Sequence, residues 1–323
     1  MRHGSLQFYP RKRSRRILPR TSWKSLSDKR SDVGLLGFIG YKVGMKSAYV
    51  RDNLGSSLTK NQRITIPVTI IEFPFMRIFS VRFYKNNKVV GEVLSSSFDK
   101  EIKKKVKLPK NTEGHKKKID DFKEGDYEDI RVIVYSQVKK TGIKKKPDIL
   151  EIGLSGKLDE KLIFVKENLN KELSVKDFLN NNVIKEDHGL VDVRGVTKGK
   201  GLQGPTKRFG LTLNIHKKEK GVRGPGSGGP WHPARVEFTQ PMAGQMGFFT
   251  RVVYNNKILL VNNISEKDIN FKEGFKKYGK IRGDYLIVCG SIQGSSKRQL
   301  LVTLPLRPTR IQSKKNYEFL ELR

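Results

Sequence analysis

The five histidines and the single cysteine are the side chains best suited to acid–base, nucleophilic or metal chemistry. The histidines are scattered, and none lies in an HExxH pattern or at another metal-ligand spacing. They are His3, His115, His188, His216 and His232. The cysteine, Cys289, ends the apolar run that starts at Tyr285, which predicts a buried, inert thiol. A lone cysteine excludes an internal disulfide and a cysteine-based zinc site. We therefore predict no catalytic residues, no metal, no cofactor and no enzymatic activity.

One glycine pattern could belong to a nucleotide-binding protein. Gly199–Gly204 matches GxGxxG, but Pro205 and more basic residues follow it, where an apolar-periodic helix would be needed. A dinucleotide-binding fold also needs an acid about 20 residues later to bind the ribose. The only acid near that position is Glu219, which lies inside a lysine cluster. We therefore expect neither a dinucleotide nor any small-molecule substrate.

The basic, glycine-rich segment from Arg194 to Val236 has a different chemistry. It contains ten glycines and ten Lys or Arg in 43 residues, without apolar periodicity. Glycine allows close backbone approach, Lys and Arg neutralise phosphates, and Phe209, Trp231 and His232 can stack on unpaired bases. The segment therefore predicts an extended, structureless basic loop, residues 195–236, that enters folded RNA. The alternative for the whole segment is a merely flexible surface loop. The alternative for Trp231 is a position in the core.

The net charge of the 323-residue chain is +34, and it is unevenly distributed. The first thirty residues contain ten Lys or Arg and one acid. Residues 193–265 contain twelve Lys or Arg and two acids. Such charge favours a polyanionic partner, with nucleic acid first and an anionic membrane surface second. No apolar run approaches the roughly 18 residues that a spanning helix needs. A membrane-surface protein would need an amphipathic basic helix, whereas these basic segments are interrupted by Gly and Pro.

Elsewhere the pattern predicts a mainly β fold with an inserted α+β portion. A helix is predicted over Leu158–Leu169, and a capping box at Ser174–Asp177 predicts a second helix. Glu101–Lys118 is predicted to be a solvated loop. Strands are predicted at Ile64–Phe73, Arg131–Val138, Tyr285–Cys289 and Leu300–Leu306, with a hairpin of Arg251–Tyr254 and Lys257–Val261 around Asn255-Asn256.

Several segments, in order along the chain, resemble the universal ribosomal protein L3 family of the large subunit. They are Gly4–Arg13, Gly37–Met45, Gly195–Gly210, Trp231–Val236, Ala243–Gly247 and Leu306–Arg310. The resemblance is to the archaeal and eukaryotic branch, and the modest length favours an archaeal source. It implies a six-stranded translation-protein-type β-barrel with an inserted α+β domain. The implied divisions are a basic extension at 1–33, a barrel body at 34–72 and 189–323, an insertion at 73–188, and the loop at 195–236.

The same resemblance implies a structural protein of the cytoplasmic large ribosomal subunit. It would bind large-subunit ribosomal RNA early in assembly, lie among neighbouring ribosomal proteins, and extend its loop toward the peptidyl-transferase centre. The tip of that loop would be Trp231. Gln245 lies where bacterial relatives can carry a methylated glutamine. Residues 212–228 depart from the family pattern, so no modified histidine is carried over to His216.

Sixteen residues are predicted to bind ribosomal RNA, chosen from the basic arm, the loop and the segment that follows it. They are Arg11, Lys12, Arg13, Arg15, Arg16, Trp23, Lys198, Lys200, Lys207, Arg208, Arg223, Trp231, His232, Arg235, Gln245 and Arg251. A nucleic-acid-processing enzyme or RNA modifier is the alternative function, although no site for it is visible in the sequence.

Overall fold

A computed structural model describes residues 3–28, 30, 32–108, 119–122, 125–179, 189–232 and 234–323. His115, His188 and residues 109–118 of the predicted solvated loop lie outside the described residues. The chain divides into two compact units. The first comprises Met1–Ile17 and Val196–Arg251, and we call it the arm–loop unit. The second comprises Leu18–Gly195 and Val252–Arg323, and we call it the body.

The described residues form mainly β structure, as the sequence predicts. The strands are β1 (Gly34–Leu35), β2 (Gly37–Asp52), β3 (Arg63–Phe73), β4 (Met76–Lys85), β5 (Lys88–Leu94), β6 (Asp129–Ser136), β7 (Ile149–Ser155), β8 (Leu190–Val196), β9 (Gly199–Gln203), β10 (Gly244–Gly247), β11 (Thr250–Asn263), β12 (Asp284–Cys289), β13 (Gln299–Thr303) and β14 (Tyr317–Leu322). The α-helices are α1 (Trp23–Ser27), α2 (Val138–Thr141), α3 (Leu158–Asn168), α4 (Val175–Phe178), α5 (Pro205–Phe209) and α6 (Arg310–Lys314). Short 3₁₀ turns cover Leu6–Phe8, Lys100–Lys104 and Ile119–Asp121.

The largest sheet contains seven strands in the order β13-β8-β11-β12-β3-β2-β14. Strand β13 also pairs with β2, with Leu301 opposite Ile39, so six of these strands are joined in a ring. Side chains of Phe38, Leu286 and Val302 are fully buried and form part of one large apolar cluster. Within the described part of the chain, strand β14 pairs with β2 alone and lies at the edge of this sheet.

The strand predictions are largely confirmed in this sheet. The predicted strand at Ile64–Phe73 is β3, and that at Tyr285–Cys289 is β12. Strand β13 ends at Thr303, three residues earlier than predicted; Pro305 lacks the N–H that a longer ladder would need. Cys289 is half-buried rather than buried, because it is the last residue of β12, and its partial burial raises the pKa of the thiol.

The predicted hairpin at Arg251–Val261 is wrong, since β11 runs without interruption through Asn255 and Asn256. A type I′ turn needs a positive φ at both central residues, but only Asn255 has one, at 54°. Its N–H donates to Oδ1 of Asp192 at 2.8 Å, and the Asn256 amide donates to the Val191 carbonyl at 3.2 Å. These bonds satisfy the chain at a bend, so no reversal is required.

A second sheet, with the order β1-β7-β6-β4-β5, is built mostly from residues between β3 and β8. The predicted strand at Arg131–Val138 is β6, shifted by two residues because Val138 begins α2. The predicted helix at Leu158–Leu169 is confirmed as α3, with Val165 buried. The capping box at Ser174 is also confirmed, because its hydroxyl accepts from the Asp177 N–H and the Asp177 carboxylate accepts from the Ser174 N–H.

The predicted solvated loop at Glu101–Lys118 is partly wrong over its described residues. Lys100–Lys104 forms a 3₁₀ turn in which Ile102 is fully buried. The Glu101 carboxylate pairs with Nζ of Lys139 at 2.8 Å. The buried Ile102, with the partly buried Val106 and Leu108, docks this lysine-rich segment while the lysine side chains stay exposed.

Candidate nucleic-acid interface

The arm–loop unit concentrates positive charge. Its two segments, 1–17 and 196–251, contain sixteen Lys or Arg and two carboxylates, Glu219 and Glu237. This leaves a net charge of +14 on fewer than a quarter of the residues. Two acids cannot pair with sixteen cations inside the unit, and this excess of positive charge favours a polyanionic partner.

Strands β9 and β10 form the base of the loop, with Gly244 opposite Gln203 and Gly247 opposite Gly199. Below this pair, the Thr197 N–H donates to the Phe249 carbonyl at 2.9 Å. The arm joins here, since the Ser14 N–H donates to the Phe248 carbonyl at 2.9 Å. The two distant segments of the sequence therefore form one structural unit.

A reciprocal arginine pair holds the arm against helix α5. Nη1 of Arg11 donates to the Arg208 carbonyl at 2.9 Å, and Nη2 of Arg208 donates to the Arg11 carbonyl at 3.0 Å. Arg208 also donates to the carbonyls of Met242 and Gln245, each at 3.0 Å. One guanidinium therefore fixes the arm, α5 and the residues around β10. We call Arg11 and Arg208 the arginine clamp.

Aromatic rings reinforce the clamp. The guanidinium carbon of Arg11 lies 4.3 Å from the ring centroid of Phe209, and that of Arg208 lies 5.2 Å from the same centroid. Arg251 lies over Phe8 at 4.5 Å. Each contact places a cation on the electron-rich face of a ring, which stabilises two guanidinium groups close to each other.

The structure engages Arg208 within the arm–loop unit, and the predicted binding of this residue to ribosomal RNA stays a prediction. Its guanidinium is committed to three backbone carbonyls. Partial burial, and then the like charge of Arg11, lower the pKa of Arg208. Arg11 and Arg251 are also half-buried and engaged within the unit. The sequence identified these three residues as basic but could not distinguish cations that organise the unit from cations that face outward.

Nine other predicted residues are exposed, and no carboxylate among the described residues pairs with them. They are Lys12, Arg13, Arg15, Arg16, Lys198, Lys200, Lys207, Arg223 and Arg235. The body behaves differently: Glu151, for example, pairs with both Arg82 and Arg131 at 3.1 and 3.3 Å. We call these nine residues the cationic set.

Exposed rings and aliphatic side chains accompany the cationic set. Trp231 is 87% exposed and His232 is exposed, which contradicts a core position for Trp231. Leu202 and Phe238 are 77% and 76% exposed. Leu202 and Phe238 were not among the residues predicted to bind RNA; the available signal was an apolar side chain inside segments made mostly of Gly, Pro, polar and charged residues.

The predicted structureless loop is in fact partly ordered. It includes β9 and α5, and the Asn214 N–H donates to the Val222 carbonyl at 3.0 Å to close a turn. Helix α5 follows Gly204, but it has only five residues and none is buried, so it is not the helix of a dinucleotide fold. Backbone hydrogen bonds provide this order. The hydrophobic periodicity of a sequence does not reveal such bonds.

Gln245 and Trp23, which are also predicted to bind RNA, are both engaged within the protein. The half-buried Gln245 side chain folds back, with Nε2 donating to the carbonyls of Met246 and Gly247, each at 3.1 Å. Trp23 belongs to the body, where it is 6% exposed and its indole packs against Gly37 and Gly153. The Trp23 ring is therefore part of the packing of the body, and its predicted binding to RNA stays a prediction.

Two findings limit the chemistry of the described residues. No group of three or more His, Cys, Asp or Glu side chains among them is arranged to hold a metal ion. No helix in the described ranges has the length and apolar character required to cross a bilayer.

Comparison with known proteins gives a consistent result. The family described as "Ribosomal protein L3" matches residues 1–322. Large ribosomal subunit protein uL3 of Methanocaldococcus jannaschii is 39% identical over 319 residues, which cover 95% of this chain and 91% of that protein. The uL3 proteins of Methanobrevibacter smithii and Archaeoglobus fulgidus are 39% and 37% identical, over 95% of this chain and 92% of each relative.

Proposed function

Because the chain belongs to the ribosomal protein L3 family, we propose that it is a structural component of the large ribosomal subunit and binds large-subunit ribosomal RNA through the arm–loop unit. One observation carries the RNA-binding proposal: nine exposed cations of this unit have no carboxylate partner among the described residues. Phosphates are the anions that RNA offers in a regular array, and Lys and Arg side chains neutralise them.

Within this proposal the cationic set positions the protein, and the exposed rings add local contacts. Phosphate contacts carry no sequence information, so RNA shape and a few stacked bases supply specificity. Trp231 and His232 are the rings best placed for stacking, since both are exposed in the loop. The arginine clamp acts earlier, by joining the arm and the loop before either meets RNA.

The body has a finer architecture that we also propose from the family. The ring of β2, β3, β12, β11, β8 and β13 corresponds to the six-stranded barrel of the translation-protein type. The second sheet, with α3 and α4, corresponds to the inserted α+β domain at 73–188. Strand pairing supports both assignments, because the second sheet takes only β1 from outside that range.

The orientation of the loop is a further part of the proposal. By resemblance, residues 195–236 extend toward the peptidyl-transferase centre with Trp231 at the tip, and neighbouring ribosomal proteins contact other surfaces. The exposure of Trp231 supports a role at a partner surface. No observation favours the alternative of a nucleic-acid-processing enzyme, since the relatives are named as ribosomal proteins.

Co-sedimentation and crosslinking test the proposal. The tagged chain, expressed in its own cells, should co-sediment with large subunits and crosslink to large-subunit ribosomal RNA through residues 195–236. A matched chain with Lys198, Lys200, Lys207, Arg223 and Arg235 changed to Gln should crosslink less. Sedimentation apart from ribosomal particles would contradict the proposal.

A further inference from the structure

The guanidinium of Arg208 occupies a space that exists because residue 244 has no side chain. Gly244 is the first residue of β10. A Cβ atom at this position would lie 2.9 Å from both Cζ and Nη1 of Arg208, and 3.2 Å from Nη2. Non-bonded carbon atoms prefer separations of about 3.5–4.0 Å, so a side chain at position 244 would displace the guanidinium.

Gly4 leaves the corresponding space for the other half of the arginine clamp. A Cβ atom at position 4 would lie 2.3 Å from Nη2 of Arg11. Gly4 also has a φ of 79°, in the left-handed region that glycine adopts more readily than other residues. Each guanidinium of the clamp therefore lies against a glycine, one in the arm and one in β10.

A substitution at Gly244 would open the clamp rather than unfold the chain. The atoms that a new side chain would meet belong to the end of the flexible Arg208 side chain, not to the backbone. The guanidinium would give way, and it would lose its hydrogen bonds to the carbonyls of Arg11, Met242 and Gln245. Gly244 does not have a positive φ, so the backbone at this position accepts alanine.

The clamp determines which exposed cations are held together. Lys12 and Arg13 directly follow Arg11 in the arm, and Lys207 directly precedes Arg208 in α5; all three side chains are exposed. While the clamp is closed, the arm and the loop present these cations on one ordered unit. An RNA that had to order the arm itself would bind less tightly, because immobilising a flexible segment costs free energy.

We propose that Gly244, together with Gly4, is a positioning residue of the RNA-binding unit. The missing side chain lets Arg208 hold the arm against the loop, so that the cations of both segments meet RNA as one preformed surface. Gly244 acts on RNA binding only through Arg208. The inference rests on the proposed function, and it adds a residue that contributes neither charge nor a ring to the interface.

The first test compares Gly244→Ala with Gly224→Ala in the full chain. Gly224 is a matched control in the same unit, because a Cβ atom there would have no other group within 4 Å. Both variants add one methyl group and restrict the unfolded chain alike. Amide hydrogen exchange at Ser14 should accelerate about tenfold in Gly244→Ala and stay at the wild-type rate in the control. Equal rates in Gly244→Ala and the wild type would overturn the inference.

A double-mutant cycle identifies the residue through which Gly244 acts. In an Arg208→Ala background the guanidinium is already absent, so Gly244→Ala should accelerate exchange at Ser14 no further. A second, additive acceleration would show that the methyl group perturbs something other than the clamp. That result would overturn the positioning role.

Binding to a large-subunit ribosomal RNA fragment separates positioning from charge. Gly244→Ala retains every cation, so its affinity should fall about tenfold. The slope of log affinity against log salt should stay at the wild-type value, because the number of cations is unchanged. An unchanged affinity would contradict the inference. Failure of the wild type itself to bind would instead overturn the proposed function, whereas the exchange measurements need no RNA.

Discussion

Arg11 and Arg208 each donate a guanidinium hydrogen bond to the backbone carbonyl of the other, at 2.9 and 3.0 Å. The two residues are 197 positions apart, so this exchange joins the N-terminal arm to the loop, together with the Ser14–Phe248 backbone bond. Two like charges this close would repel in isolation. The Phe209 ring, which both guanidinium groups approach, and the carbonyls that they bind offset that repulsion.

Arg208→Ala should loosen the arm–loop unit without unfolding the body. It removes bonds from one charged donor group to three carbonyls, each worth about 1.5–3 kcal/mol in a favourable setting. Amide hydrogen exchange at Ser14 and Phe248 should therefore accelerate about tenfold or more. Lys207→Gln, on the same helix but exposed, is the control with the same loss of charge. Equal exchange in both variants would show that the clamp has no structural role.

The two tryptophans should respond oppositely to removal. Trp23→Ala should lower the free energy of unfolding by about 3–5 kcal/mol, because the indole is buried in the body. Trp231→Ala should change it by less than about 0.5 kcal/mol, since that side chain is 87% exposed. Chemical denaturation of the purified variants measures both values. A large loss of stability in Trp231→Ala would place that ring in a core.

Asp99 should contribute to the free energy of unfolding at neutral pH, and this contribution should be lost at acidic pH. Burial raises the pKa of Asp99, but hydrogen bonds from Gln137 and Tyr135 and the charge of Arg77 outweigh burial and lower that pKa below its ordinary value. A carboxyl with a lower pKa in the folded state stabilises above the ordinary value, about 3.9, and this stabilisation is lost as pH falls through the folded value.

Asp99→Asn should therefore be less stable than the wild type at pH 7, and the difference should narrow below about pH 4. Urea denaturation across this range measures the difference. Glu167→Gln, at an exposed carboxyl, should show little change at any pH. A difference for Asp99→Asn that stayed constant down to pH 3 would rule out the ionised carboxylate as its source.

The fold was predictable where the pattern was local. β-branched runs located β3 and β12, and the spacing of apolar residues located α3. The bend at Asn255 was not predictable, because an Asn-Asn pair suits a turn equally well. Its outcome depends on Asp192, which is remote in sequence and accepts the Asn255 N–H. The ring of strands depends in the same way on a pairing between the distant β13 and β2.

The sequence predicted which segments form the candidate interface, but it did not predict how their side chains are arranged. Charge and glycine content indicated the arm and the loop, and Trp231 is indeed exposed. The same reasoning could not separate Arg208, which binds carbonyls, from its exposed neighbour Lys207. Nor did the basic context of Trp23 reveal that this ring is buried in α1.

The salt dependence of RNA binding tests most directly whether the cationic set neutralises ribosomal RNA phosphates. The test variant changes Lys198, Lys200, Lys207, Arg223 and Arg235 to Gln, and the control changes the exposed body residues Lys103, Lys104, Lys105, Lys107 and Lys276 to Gln. The slope of log affinity against log salt should become less negative by roughly 3.5–4.5 in the test variant and remain near the wild-type value in the control. A test variant whose slope equals that of the wild type would contradict the account.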